Sequence, residues 1–258
     1  MNQVETAVKT SPILPQTEPA QLLLVQLKRV DTGPLRTSDT WNVEMPNQQS
    51  IPFGGELLPT DGAAVLIPGF LSAEASDAIL HELLTTEPWE SQSLHMYGKM
   101  VSEPRLSTWH AEPHVTYTYS GALRTPIPWT PTLLALREAC EQQTAHTFNG
   151  LLVNQYRNGN DHLGWHADNE LSNGPEPLIA SLSFGAERRF DLRHRETNQI
   201  VSTQLPHGSL LVMSGLSQKC WLHRVAKEPI ITQPRVNLTF RHLIDDALLT
   251  RSSAAVFS

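Results

Sequence analysis

The segment after Phe148 constrains the fold most, because short apolar runs there alternate with turn-forming residues. Gly, Asn and Pro separate the runs, and each run has the length of a β-strand. The six runs are LLVNQY (151–156), LIASLSF (178–184), RRFDLRH (188–194), SLLVMS (209–214), CWLHRV (220–225) and RVNLTFRHL (235–243). Such a succession of strands predicts a β-sandwich or barrel at the centre of the domain.

Two helices are predicted before these strands. The first follows the apolar stretch VLIPGF, with Ser72 as its N-cap and apolar residues at helical spacing behind it. The second begins at Pro131, a residue suited to the first turn of a helix, and carries Leu133, Leu136 and Cys140 on one face. Helices followed by a set of strands indicate an α+β domain.

The chain divides into an extension and one domain. Residues 1–60 are rich in Pro, Gln, Thr and Ser, with LLLVQL as the one compact apolar patch, and we expect them to be mostly flexible. Residues 61–258 form the predicted catalytic domain, whose core covers about 148–244. Residues 90–130 are rich in aromatic, polar and proline residues without helical periodicity, which favours hairpins and loops over a binding site.

Composition and length narrow the class of protein. Hydrophobic residues make up 40% of the chain and charged residues 17%, which supports a buried core. No stretch approaches the roughly 20 apolar residues that span a bilayer, and the N-terminus lacks the apolar run of a signal peptide. We therefore expect a soluble, cytoplasmic protein with no membrane partner. Cys140 and Cys220 lie outside any CxxC pattern, which predicts two reduced, buried thiols.

The formal net charge of −7 is unfavourable for a nucleic-acid partner, but it belongs to the N-terminal half. Residues 1–149 carry 8 basic and 16 acidic side chains, whereas residues 150–258 carry 11 and 10. In the second half, the run RRFDLRHR contributes Arg188, Arg189, Arg193 and Arg195. These arginines form either a local basic face or a solvated strand edge.

A metal site is indicated by the sequence GWHADNE. His166 and Asp168 are two positions apart, so in an extended segment both side chains project from the same face. Non-haem Fe(II) oxygenases use two His and one carboxylate on one side of the metal and leave positions open for a cosubstrate and O₂. Among eleven histidines, His223 on a later predicted strand is the best third ligand. Taken alone, a His-x-Asp pair also occurs on ordinary protein surfaces.

The strand PRVNLTFRHL places apolar and polar side chains on opposite faces. Val236, Leu238 and Phe240 share one face, and the other carries Arg235, Asn237, Thr239 and Arg241. A buried arginine is costly unless an anion pairs with it, and a dicarboxylate such as 2-oxoglutarate supplies that anion. The alternative is an edge strand with both arginines in water.

Together these segments resemble the AlkB family of Fe(II)- and 2-oxoglutarate-dependent dioxygenases, and in particular its branch that repairs alkylated DNA. The resemblance covers about residues 60–244. Its motifs are YTYSG (117–121), LLVNQYRNGNDHLGWHADNE (151–170), IASLSFGAERRF (179–190), HGSLLVM (207–213), WLHRV (221–225) and RVNLTFR (235–241). The last motif is the most specific, because other oxygenases of this superfamily rarely place two arginines around that Asn and Thr.

The resemblance implies a double-stranded β-helix, or jelly roll, with flanking helices and a nucleotide-recognition lid at about 90–130. It implies Fe(II) as the metal cofactor and 2-oxoglutarate and O₂ as cosubstrates, with iron held by His166, Asp168 and His223. Arg241 corresponds to the family's second arginine, beside Asp168 and the cosubstrate, and is counted as both catalytic and cosubstrate-binding. The other expected cosubstrate-binding residues are Asn154, Tyr156, Arg235, Asn237 and Thr239.

For the substrate, the resemblance points to the lid. Tyr119 corresponds to an aromatic residue that stacks on the flipped base opposite His166, and Tyr117 and Ser120 belong to the same expected pocket. Glu170 resembles an acidic residue placed near the base. The alternative for each lid tyrosine is a place in ordinary strand core.

The implied activity is removal of small N-alkyl groups, as from 1-methyladenine or 3-methylcytosine, coupled to conversion of 2-oxoglutarate and O₂ to succinate and CO₂. The expected partner is alkylated DNA, and we expect a monomer. Three alternatives stay open: a demethylase of transfer or other RNA, a catalytically silent reader of modified bases, and a protein or lipid hydroxylase. Departures from the family pattern bear on the substrate, since residue 167 is Ala where Arg is common and residue 169 is Asn where some relatives carry a second acid.

Overall fold

The computed structural model describes residues 26–29, 41–44, 55–96, 99–113, 115, 117–119 and 122–244. The helices are α1 (Ala73–Thr86), α2 (Pro131–Thr144) and α3 (Ser217–Cys220), with a single 3₁₀ turn at Leu171–Asn173. The strands are β1 (Gln26–Arg29), β2 (Trp41–Glu44), β3 (Ala63–Ile67), β4 (Glu90–Met96), β5 (Lys99–Ala111), β6 (Tyr117–Tyr119), β7 (Ala122–Arg124), β8 (Gly150–Tyr156), β9 (Leu163–His166), β10 (Ile179–Gly185), β11 (Arg188–His194), β12 (Ile200–Leu205), β13 (Ser209–Ser214), β14 (Trp221–Val225) and β15 (Arg235–Arg241).

Two antiparallel sheets form the body of the fold. The large sheet has the order β3-β13-β10-β15-β8-β5-β4, and the small sheet has the order β12-β11-β14-β9. From β8 to β15 the chain crosses repeatedly between them, with β8, β10, β13 and β15 in the large sheet and β9, β11, β12 and β14 in the small one. Eight strands shared in this way between two sheets form a jelly roll, so the predicted double-stranded β-helix is confirmed.

Apolar side chains from both sheets meet in the space between them. Ile179, Leu211 and Met213 of the large sheet are buried in one cluster with Phe190 and Trp221 of the small sheet. Inward side chains alternate with outward ones along each strand, so every second residue enters this interior. Polar residues at inward positions therefore lie between the sheets, and this is where the functional site forms.

The two long helices cover the other face of the large sheet. Helix α1 begins where predicted, because the Ser72 hydroxyl accepts a hydrogen bond from the Ala75 N–H at 3.2 Å. Helix α2 begins at Pro131, and Thr130 caps it in the same way through the Leu133 N–H. Its apolar face packs on the sheet, as the helical spacing of its residues predicts.

Strand β15 lies in the middle of the large sheet, between β10 and β8. Val236, Leu238 and Phe240 are buried against the helices, which confirms their predicted common face. The polar residues that alternate with them point to the interior and are also buried: Arg235, Asn237, Thr239 and Arg241. The alternative of an edge strand with solvated arginines is therefore wrong.

Two substitutions in α2 test whether its apolar face packs in the core. Leu136→Ala removes a side chain that is 0% exposed, and the cavity left behind is expected to lower the free energy of unfolding by about 2 to 5 kcal/mol. Leu134→Ala, in the same helix turn but 39% exposed, is the control and is expected to cost less than about 1 kcal/mol. Urea denaturation followed by circular dichroism measures both, and equal losses would contradict this packing.

Several sequence expectations require adjustment. Arg188 is buried, so the run RRFDLRHR does not present all four arginines on one face. Cys140 is buried as expected, whereas Cys220 is only partly buried, and neither forms a disulfide. Strands β9 and β12 were not predicted, because neither has a strong apolar pattern in the sequence. In β12 the outward residues are exposed.

The segment expected to form a lid contributes partly to the sandwich. Strand β5 pairs with β8 from Leu106 to Ala111 and so belongs to the large sheet, while β4 pairs with β5 at its edge. Strands β6 and β7 form a separate hairpin. Most of the predicted extension, 1–60, lies outside the described residues. No helix in the part of the chain that the structure describes is long and apolar enough to cross a bilayer.

Candidate active site

Strands β9 and β14 bring the two candidate histidine ligands together. In their antiparallel pairing His166 lies opposite His223, and the two ring centroids are 4.2 Å apart. Val225 pairs with Leu163, so three steps along β9 correspond to two along β14, which is a β-bulge. One donor atom each of His166, Asp168 and His223 lies within 4.8 Å of the others, so the three side chains converge on a site that suits one metal ion.

Hydrogen bonds orient two of these ligands. The Nδ1 atom of His166 lies 2.9 Å from the carbonyl oxygen of Gly164, within the bulge. A proton held on Nδ1 by that carbonyl leaves Nε2 free to bind a metal. The backbone N–H of Asp168 donates to Oε1 of Gln218 in α3 at 2.9 Å, which fixes the residue between the sheet and the short helix.

The carboxylate of Asp168 is held by a buried arginine. Its Oδ1 lies 2.8 Å from Nη2 of Arg241 in a buried ion pair. Burial by itself raises the pKa of Asp168, but the attraction of Arg241, His223 and His166 outweighs burial and holds that pKa well below its usual value. A carboxylate oxygen of Asp168 lies within 4.8 Å of the donor atoms of His166 and His223, so this ionised group can serve as a metal ligand.

Both histidines are held in the neutral form that binds metals. Burial lowers the pKa of His223 to about 3, and repulsion from His166 contributes. Burial is also the main reason that the pKa of His166 lies below its ordinary value. Two neutral imidazoles and one carboxylate on one side of a cation match the facial set of non-haem Fe(II) oxygenases.

Arg235 is the second feature of this interior. Its side chain is 1% exposed, and Nη2 donates to the hydroxyl of Ser183 at 2.9 Å. Nε and Nη1 are buried without a hydrogen-bond partner among the described residues. Burial lowers the pKa of Arg235 to about 10, yet the group stays charged at neutral pH. A buried cation with unused donors fits an anionic ligand, and the carboxylate of 2-oxoglutarate matches its planar fork.

The remaining expected cosubstrate residues lie around the same cavity. Tyr156 places its ring 5.2 Å from the guanidinium carbon of Arg235. The amide of Asn237 donates to the Ser181 hydroxyl and the Leu182 carbonyl, and its oxygen accepts from the Thr239 hydroxyl. Both N–H groups of Asn237 are thus used by β10, so this residue positions β15 and offers a ligand only its oxygen.

Two residues near the site were missed by sequence reasoning. Arg105 of β5 is 2% exposed, lines the cavity, and donates from Nε to Oδ1 of Asn154 at 2.8 Å. That bond turns the amide N–H₂ of Asn154 away from Arg105 and fixes its orientation. Gln218 is the other, through its contact with Asp168. No local pattern marks either residue, because Arg105 and Asn154 are 49 positions apart and meet only through the pairing of β5 with β8.

The expected substrate residues are described to different extents. Glu170 is partly buried, and its Oε2 accepts a hydrogen bond from Nδ2 of Asn173 at 2.7 Å. Burial and then the nearby Asp168 raise the pKa of Glu170. The backbone of Tyr117 and Tyr119 lies in β6, but their side chains, and all of Ser120, lie outside the described residues.

Comparison with known proteins agrees with this geometry. The profile of the 2OG-Fe(II) oxygenase superfamily matches residues 63–241. The human alpha-ketoglutarate-dependent dioxygenase alkB homolog 3 is 43% identical over 201 residues, which are 74% of this chain and 70% of the relative. The mouse DNA oxidative demethylase ALKBH2 is 40% identical over 186 residues, which are 68% of this chain and 77% of the relative.

The superfamily profile spans the whole sandwich from β3 to β15, and the relatives match over more than two thirds of the chain at this level of identity. Iron is accordingly its metal cofactor, 2-oxoglutarate and O₂ are its cosubstrates, and the cluster of His166, Asp168 and His223 fits the metal. The chain belongs to the AlkB family of 2OG-Fe(II)-dependent dioxygenases.

Proposed function

We propose that this enzyme removes N-alkyl groups from damaged bases in DNA, with His166, Asp168 and His223 as the iron ligands. One observation carries the proposal: the metal-binding cluster shares a cavity with Arg235, a buried cation whose Nε and Nη1 lack partners among the described residues. The names of the relatives supply the substrate class, since one group is named for oxidative demethylation of DNA.

When bound, iron and 2-oxoglutarate supply the oxidising chemistry: one atom of O₂ goes into succinate, CO₂ is released, and the other atom is inserted into a C–H bond of the alkyl group. An N-hydroxyalkyl group is unstable and leaves as an aldehyde, which restores the base. The protein contributes position and charge. Arg235 holds the far carboxylate, Asn154 and Tyr156 confine the keto acid, and Arg241 keeps Asp168 ionised and oriented.

The substrate must leave the base stack to reach this interior. An alkylated, cationic ring has lost part of its pairing energy, which favours flipping. We propose that Tyr117 and Tyr119 stack on the flipped base, where each aromatic contact contributes about 1 to 3 kcal/mol. Glu170, with its pKa raised by burial, lies two residues after Asp168 and is proposed to face the edge of the base.

The test is aerobic incubation of the full chain with Fe(II), 2-oxoglutarate and oligonucleotides that carry 1-methyladenine or 3-methylcytosine. Single- and double-stranded DNA and RNA of the same sequence are compared by mass spectrometry, with unmodified oligonucleotides as controls. We expect loss of the methyl group from DNA with one succinate formed per group removed.

Each of the other outcomes would support a different function. Preferential turnover of RNA would favour the RNA demethylase, and tight binding of methylated strands without succinate would favour the silent reader. Succinate formation with a peptide or lipid and with no nucleic acid would contradict the proposal outright.

A further inference from the structure

The outer face of the small sheet carries cations that the proposed chemistry does not use. On β11, Arg189, Asp191 and Arg193 alternate with the inward residues, and Arg224 occupies the neighbouring outward position on β14, opposite Asp191. Trp165 joins them from β9, because its neighbour His166 points inward. We call Trp165, Arg193 and Arg224 the outer arginine–tryptophan cluster.

Charge on this face is unbalanced. Asp191 binds Nε of Arg224 through Oδ2 at 2.8 Å and Nε of Arg189 through Oδ1 at 3.3 Å, and it also accepts a hydrogen bond from Ser202. One carboxylate therefore serves two arginines, and Arg193 is left over. The positive charge is local, since the protein as a whole carries −7. A local cationic face on an acidic protein favours a polyanion.

Arg193 and Arg224 converge on one aromatic ring. Their guanidinium carbons lie 4.5 and 4.4 Å from the ring centroid of Trp165. Arg193 makes no side-chain hydrogen bond or ion pair with any residue that the structure describes, so its donors are free for a ligand. Two cations held beside one ring repel each other, and an anion placed between them relieves that repulsion.

The cluster also lies next to the active site. Trp165 directly precedes the proposed ligand His166, and β9 is the edge strand of the small sheet. Neighbouring residues on a strand are only about 3.3 Å apart, so a nucleotide whose base enters the cavity has its flanking phosphates within reach of this edge.

We propose that the outer arginine–tryptophan cluster binds the phosphodiester backbone of the strand that flanks the target nucleotide. This inference rests on the proposed function, because it assumes a nucleic-acid substrate. The contact is electrostatic and independent of sequence: Arg193 and Arg224 meet phosphates, and Trp165 holds both guanidinium groups in place.

The decisive variants are Arg193→Gln and the double variant Arg193→Gln/Arg224→Gln. Arg193→Gln is the safer of the two, because Arg193 has no ion pair to lose, whereas Arg224 is bound to Asp191. Arg137→Gln is the control, and like Arg224→Gln it also breaks an ion pair, here with Glu112. Arg137 also lies over a tryptophan ring, with its guanidinium carbon 4.8 Å from the ring centroid of Trp129. It belongs to helix α2, on the opposite side of the large sheet, and its replacement removes the same single positive charge.

Binding of a methylated oligonucleotide is measured by fluorescence anisotropy over a range of salt concentrations. The full chain is used with Fe(II) and 2-oxoglutarate under anaerobic conditions, so that the substrate is not consumed. We expect Kd to rise about 3-fold for each arginine removed, the effect of an exposed ion pair. The slope of log Kd against log salt should fall by about 0.7 for each lost contact with a single strand.

Aerobic turnover separates this inference from the proposed function. A methylated mononucleotide carries only its own phosphate and lacks the backbone of neighbouring nucleotides, so its kcat/KM should not change in Arg193→Gln, while KM for the oligonucleotide rises. An unchanged salt slope in Arg193→Gln, an equal change in Arg137→Gln, or an equal loss with the mononucleotide would each overturn the phosphate contact. Failure of the unaltered protein to demethylate any nucleic acid would instead defeat the proposed function.

Discussion

Replacing His166 by alanine is expected to reduce succinate formation to background, a loss of roughly three orders of magnitude or more, because iron loses one of three protein ligands. The ring of His166 donates only to the carbonyl of its own strand, so its removal should leave the fold intact. Fe(II)-dependent succinate release measures the effect, and titration with Mn(II) checks that metal binding is the step that fails. His81→Ala, an exposed histidine on α1, is the control and should retain full activity.

Asp168→Ala should be equally inactive, but for two reasons combined. It removes the metal ligand and also takes the carboxylate from the buried ion pair with Arg241, and breaking such a pair costs about 3 to 5 kcal/mol. A thermal denaturation profile must therefore accompany its activity assay. Succinate production at the normal rate in either variant would contradict the assignment of the ligands.

Arg235→Met is expected to raise KM for 2-oxoglutarate roughly 30-fold or more, because truncating one partner of a buried charge pair costs about 2 to 5 kcal/mol. The same change should not destabilise the ligand-free protein. Without an anion, Nε and Nη1 of Arg235 have no partner among the described residues. Burying such a charge is costly, so an apolar side chain of similar length should not lower the free energy of unfolding.

Arg188→Met is the matched control for this prediction. Arg188 is also 1% exposed, but its guanidinium donates to the carbonyl oxygens of Asp161 and Ala226 and pairs with Glu228. Its loss should lower the free energy of unfolding by about 3 to 5 kcal/mol. Denaturation curves with and without 2-oxoglutarate measure both variants. An Arg235→Met protein that binds the keto acid normally would show that Arg235 is not the anchor.

The contrast between these two arginines shows where sequence reasoning reached its limit. Both are Arg residues on predicted strands, and RRFDLRHR suggested a surface role for Arg188. Inward alternation along β11 instead buries Arg188 and turns Arg189 and Arg193 outward. The sequence shows that the side chains of β11 alternate between two faces. It does not show which face is buried, because charged residues occupy both.

The sequence by itself determined the local features of this protein: the helix starts at Ala73 and Pro131, the two faces of β15, and the close spacing of His166 and Asp168. These follow from side-chain direction and capping, which depend on neighbours within a few positions. Only the tertiary structure decided which residues meet across the fold. The register of β9 on β14 brings His223 to His166, the pairing of β5 with β8 brings Arg105 to Asn154, and the small sheet gathers Trp165, Arg193 and Arg224. Strand register is determined by the packing of both sheets together, so no local pattern in the sequence encodes it.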